Sequence, residues 1–114
     1  MVIDDDPDLR DSLQLVLELR GYAVQAARDG ADALSQLRAD PLPRVVLLDL
    51  MMPGMNGVEF RELQMNDTRL RDIPVVLLTG AGAHAVDPKR VQGAIVLRKP
   101  FDFDRLFELL ETLC

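Results

Sequence analysis

Four apolar residues, Val45-Val46-Leu47-Leu48, run without a break into Asp49, and Pro53-Gly54 follows a few residues later. The run is too short for a free-standing helix and too continuous for a strand with one wet face. It predicts a strand buried on both faces, as at the centre of a parallel sheet. A strand that ends in Asp and breaks into a Pro/Gly turn carries its carboxylate to the carboxyl edge of the sheet. In open α/β folds that edge is where ligands bind. Taken alone, Asp49 serves equally well as a cap on turn amides.

The surrounding pattern defines the fold. Met1-Val2-Ile3 is a very short opening strand, for which a trimmed longer strand is the expectation, and it leads into Asp4-Asp5-Asp6-Pro7-Asp8. Pro7 and the acids suit a first helical turn. Leu9, Leu13, Leu15, Val16, Leu17 and Leu19 then supply a helix that Gly21 stops. Tyr22 to Ala26 is a strand, Ala31 to Arg38 a helix, and Arg44 to Asp49 the central strand. A helix follows from Val58 to Met65, with Val58, Phe60, Leu63 and Met65 as its apolar residues. Pro74 to Thr79 is a second strand buried on both faces. Residues His84 to Val91 make a fourth helix that is short or frayed, because Asp87-Pro88 interrupts it. Ala94 to Arg98 is the fifth strand, and Asp102 caps a last helix that runs to Cys114. Strands alternating with helices predict a doubly wound, five-stranded parallel sheet of order 2-1-3-4-5 with helices on both faces, flavodoxin-like. Residues 1–114 form one domain.

Composition excludes several functions. A net charge of −6 disfavours nucleic-acid or anionic-membrane binding by this domain. The single cysteine, Cys114, leaves no internal disulfide or cysteine metal cluster. No apolar run reaches membrane-spanning length, and a cytoplasmic location is the expectation.

In a 2-1-3-4-5 sheet, one crevice receives Asp4, Asp5 and Asp6 from strand one, Asp49 from strand three, Thr79 from strand four and Lys99 from strand five. Clustered carboxylates repel one another, and a hard divalent cation such as Mg²⁺ resolves this while keeping positions open for phosphate. Thr79 and Lys99 can neutralise a phosphoryl group from other sides, and Asp49 is a candidate nucleophile. Each residue also has a plain structural role: a helix cap, a turn hydroxyl, a solvated charge. Their joint placement shifts the balance toward chemistry.

The chain resembles the response-regulator receiver domains of two-component signalling. The resemblance rests on Asp4-Asp5-Asp6-Pro7-Asp8-Leu9-Arg10, Leu48-Asp49 through Met55-Asn56-Gly57, Leu78-Thr79-Gly80 and Lys99-Pro100-Phe101, in order along nearly the whole chain. It implies that Asp49 accepts a phosphoryl group from a histidine kinase or phosphotransfer protein. It implies Mg²⁺ on Asp5, Asp49 and the backbone carbonyl of Met51, with Asp4 helping through water. Thr79 would hold a phosphoryl oxygen and act as a switch, Lys99 would pair with the phosphate, and the bond before Pro100 would be cis. The face around helix four, strand five and helix five would rearrange to meet an output domain, a partner protein or a second copy in a homodimer. Such a domain catalyses only its own phosphorylation and slow dephosphorylation.

Two departures carry expectations of their own. The family's usual aromatic switch position, three residues before Lys99, is Val96 here, and a β-branched side chain cannot make the same swing. Met51 and Ala81 cannot orient a hydrolytic water, which implies a long-lived phosphoryl group. Three alternatives remain: a receiver-like interaction domain not regulated by phosphorylation, a haloacid-dehalogenase-like phosphatase, and a flavodoxin-like binding module. The phosphatase would want a carboxylate where Met51 stands, and the flavin reading lacks an aromatic, Ser/Thr-rich phosphate loop. An adjoining output segment is not readable, so both a free-standing receiver and one from a larger regulator or hybrid kinase fit.

Overall fold

The structure is a computed structural model, and it describes residues 1–39, 42–49, 57–79, 95–98 and 102–113. The elements in chain order are β1 (Val2–Ile3), α1 (Pro7–Leu19), β2 (Ala26–Ala27), α2 (Gly30–Leu37), β3 (Val46–Asp49), α3 (Gly57–Met65), β4 (Val75–Thr79), β5 (Ile95–Arg98) and α4 (Phe103–Leu113). The short helix expected over 84–91 lies outside the described residues.

The strands form one sheet of order β2-β1-β3-β4-β5, and every neighbouring pair is parallel. This is the topology that the alternating pattern predicts. Side chains alternate across the sheet and divide the core in two. Ile3, Leu48 and Leu77 point to one face with Ala33, Leu37 and Phe60, beneath α2 and α3. Val2, Leu47, Val76 and Leu78 point to the other with Leu13, Leu17, Leu106 and Leu110, beneath α1 and α4. Both faces of β3 are therefore dry, as its unbroken apolar run requires.

Local chemistry sets the helix ends. Asp6 caps α1, its side chain accepting from the amides of Asp8 and Leu9, with Pro7 in the first turn. The far end closes with the Gly21 amide on the Glu18 carbonyl and the Tyr22 amide on the Leu17 carbonyl, at 3.0 and 3.1 Å. That paired closure needs a left-handed residue, and Gly21 supplies it at φ +91°. Asp29 caps α2 through the Asp32 amide, while the Asp32 carboxylate accepts from the Arg28 amide. Asp102 accepts from the Asp104 amide at the start of α4. A cation–π contact, with the Arg20 guanidinium 4.0 Å from the Phe107 ring centre, joins the end of α1 to α4.

Three expectations change. Leu15 and Leu19 are 61% and 77% exposed, because each lies two residues beyond Leu13 and Leu17 and so on nearly the opposite side of α1. The second strand is Ala26–Ala27 rather than Tyr22 to Ala26. Tyr22 and Val24 instead lie partly buried against the α1/α4 core, and pairing with β1 begins at Ala26. On α3, Leu63 is exposed and Gln64 is buried. Gln64 donates to the carbonyls of Leu70 and Ile73, both at 2.9 Å, and accepts from Arg61 Nη1 at 2.8 Å. It thus satisfies the turn that leads into β4, and burial pulls the Arg61 guanidinium below its ordinary value. Arg69 from the same turn donates to the Leu37 carbonyl and closes the end of α2.

Replacing Gln64 with Met keeps the length and removes every one of these bonds. The expected cost is about 2–3 kcal/mol in urea-induced unfolding, and unchanged stability would contradict the role given to this amide. Asp32 yields a second expectation. The Arg28 amide, then the Gln36 side chain, hold its carboxyl below the usual carboxylate range. A depressed folded-state value stabilises the fold above the unfolded-state value of 3.8 and ceases to do so as pH falls through the folded-state value. The stability gap between wild type and Asp32→Asn should therefore be full near neutrality and shrink as pH drops below about 4; a gap that widens on acidification would refute it.

Candidate functional site: an acidic cluster at the sheet edge

β1 and β3 are adjacent and parallel, with Ile3 opposite Leu48. The next step along each strand is Asp4 on one and Asp49 on the other. Asp49 is the last residue of β3, pairs with Leu78 of β4 and is only 7% exposed. Asp4 is fully buried, whereas Asp5 is exposed. One carboxylate oxygen from each of Asp4, Asp5 and Asp49 lies within 4.8 Å of the other two. The sheet, rather than any local loop, brings residues so distant in sequence together.

Asp4 is held from several directions. Its amide donates to the Ala27 carbonyl of β2 at 3.1 Å. Its Oδ1 accepts from the Asp6 amide at 2.9 Å, a local turn that leads straight into the α1 cap. Its backbone carbonyl accepts from Arg10 Nη1 at 2.9 Å. Among the described residues the cluster offers three carboxylates, hard oxygen donors that could hold a hard divalent cation.

Thr79 ends β4 one residue past Leu78, and its backbone pairs with Arg98 of β5. Its side chain lies outside the described part of the structure, as do Met51, Lys99 and Pro100. Val96 sits in β5 opposite Leu77 and is 41% exposed, while Ile95 and Leu97 turn toward the α1/α4 core. A cavity of about 560 Å³ opens at the other, amino edge of the sheet. Val24, Leu42, Val45 and Leu47 are among its lining residues, and among the described residues no carboxylate is, so it lies apart from the acidic cluster.

Sequence reasoning overlooked the contact made by Arg10. Its signal was available: it stands six residues after Asp4, early in a helix that starts at Pro7, where a long side chain can fold back over the preceding loop.

The fold and the acidic edge define a class, a doubly wound domain with clustered carboxylates at the carboxyl ends of β1 and β3. Comparison with known proteins narrows it. Residues 1–111 match the family model described as the response regulator receiver domain. Over 110 residues the chain is 37% identical to the C4-dicarboxylate transport transcriptional regulatory protein DctD of Rhizobium meliloti, covering 94% of this chain and 23% of that protein. The response regulator Rre1 of a Synechocystis strain is 34% identical, with 99% of this chain and 50% of the relative covered. Among solved structures, the receiver domain of NtrX from Brucella abortus superposes with a TM-score of 0.86 at 29% identity, covering 98% of this chain and 94% of that one. The chemotaxis protein CheY4 of Vibrio cholerae gives 0.83 at 27% identity, with 99% and 95% covered. The chain belongs to the response-regulator receiver family, a family of signalling domains. It spans about a quarter to a half of the length of these two curated relatives. Among the described residues no helix is long and apolar enough to cross a membrane.

The crowding of the cluster has a measurable consequence. Asp5 is exposed, so Asp5→Asn relieves repulsion without opening a cavity. In EDTA at neutral pH this variant should melt roughly 2–5 °C above wild type. An equal or lower melting temperature would mean that the three charges are already well compensated.

Proposed function

We propose that this domain is a phosphoacceptor switch in which Asp49 takes a phosphoryl group from the phosphohistidine of a histidine kinase or phosphotransfer protein. The observation that carries this reading is the convergence of Asp4, Asp5 and Asp49 at one sheet edge, in a chain of the receiver family. Asp49 is fixed by a strand buried on both faces, so its carboxylate meets an incoming phosphorus with little freedom to lose. An Asp49 oxygen attacks phosphorus, the bond from phosphorus to the donor's imidazole nitrogen breaks with its electron pair going to the ring, and an acyl phosphate results.

Asp4, Asp5 and Asp49, with the Met51 backbone carbonyl, are the residues that would hold Mg²⁺. When bound, Mg²⁺ offsets their mutual repulsion and the charge of the phosphoryl oxygens. In this reading Lys99 pairs with the phosphoryl group and Thr79 holds a phosphoryl oxygen. Val96 occupies the switch position without an aromatic ring, so the readout rests on Thr79 and the surrounding face rather than on a ring swing. That face meets an output domain, a partner protein or a second copy. The domain acts in the cytoplasm, turns over no external substrate and binds no nucleic acid itself. Residues 1–114 act as one unit.

Incubation with acetyl phosphate and Mg²⁺ should add one phosphoryl group, located on Asp49 by peptide mass spectrometry. Asp49→Asn should abolish the adduct, and EDTA should reduce it sharply in wild type. A wild type that takes up no phosphoryl group or beryllofluoride, or an Asp49→Asn variant that still does, removes this reading.

A further inference from the structure

We propose that Arg10 is a positioning residue for the acidic site, holding the Asp4–Asp5 peptide so that the Asp5 carboxylate faces Asp4 and Asp49 when a divalent cation binds. This rests on the Mg²⁺ role proposed above. The peptide unit that joins Asp4 to Asp5 presents the Asp4 carbonyl, and Arg10 Nη1 donates to that oxygen at 2.9 Å. Asp4 itself is fixed by the Ala27 carbonyl and the Asp6 amide. Asp5 is exposed, and among the described residues no side chain holds its carboxylate, so its direction follows from the backbone it hangs from. Arg10 ties that backbone to α1, which is anchored in the core by Leu13 and Leu17. Asp6 is held separately, its amide donating to Asp4 Oδ1 and its side chain accepting from the amides of Asp8 and Leu9.

Arg10 also brings a positive charge beside an acidic site, and this acts in the opposite direction. A nearby guanidinium repels an incoming cation, so losing the charge alone would tighten Mg²⁺ binding. Losing the brace would weaken it, as removal of a group that orients a metal ligand does. The sign of the change therefore separates the two roles. Because the bond is to a backbone carbonyl rather than to a carboxylate, the bracing effect is the larger.

The test is calorimetric titration of the full chain with MgCl₂, together with amide exchange by NMR in EDTA, for wild type, Arg10→Ala and Arg10→Lys. Arg10→Ala should weaken Mg²⁺ binding roughly tenfold, Arg10→Lys should recover much of the loss, and the Asp6 amide of metal-free Arg10→Ala should exchange faster than in wild type. Equal or tighter Mg²⁺ binding by Arg10→Ala overturns the proposal, even if its melting temperature falls, since a merely structural residue would lower stability alone. If wild type itself gives no binding isotherm, it is the metal role of the cluster that fails. Asp6 exchange then decides whether Arg10 braces the loop, and an unchanged rate refutes it.

Discussion

Everything at the working edge depends on the parallel pairing of β1 with β3. The rung that sets Ile3 opposite Leu48 also sets Asp4 beside Asp49, forcing buried or nearly buried carboxylates into proximity. Like charges do not gather in this way without a large opposing term. Here that term is the apolar burial of Val2, Ile3, Leu47 and Leu48, all essentially inaccessible to water. The two core layers hold the strands in register, and the register holds the acids together. Slipping the pairing by one residue would exchange the faces of Leu47 and Leu48 and empty both cores.

The second tier of the structure stiffens what the register aligns. The Asp4 turn, the Asp6 cap and the Arg10 contact form a continuous run of bonds from the end of β1 into α1. Gln64, Arg69 and Gln36 do the corresponding work around α2 and α3, where they satisfy carbonyls of the Leu70–Ile73 turn, Leu37 and Ala26. Polar side chains on helices thus answer backbone groups that the sheet and helices leave over. Asp4 and Asp49 sit at the ends of strands held in the core, which suits the proposed chemistry, since it relies on placement and charge more than on flexible closure.

Val96 bears on how the proposed switch would be read. It lies in the edge strand, half exposed, with a side chain whose torsional freedom is small. A readout that depends on a bulky ring moving from outside to inside has no such ring at this position. The exposed Leu15 and Leu19 on α1 are a separate matter: their apolar character follows neither from the core nor from the acidic edge.

The sequence by itself determined the fold class, the strand order and the identity of the acidic residues. The reason is that unbroken apolar runs, helix caps and Pro/Gly turns are local signals, and a parallel sheet leaves few ways to combine them. Gly21 was legible for the same reason, since it acts within one turn of itself, whereas Asp6, expected in the crevice beside Asp4 and Asp5, instead caps α1 and stays out of the cluster. Tertiary structure alone decided which of six apolar residues on α1 go inward, why β2 shrinks to Ala26–Ala27, and why Gln64 rather than Leu63 is buried. Those outcomes depend on which face meets the sheet and on carbonyls that the fold brings up from outside the helical pattern, as Leu70 and Ile73 do for Gln64. The same holds for Arg10: its charge is plain in the sequence, but its acceptor is a backbone oxygen that only the folded loop presents.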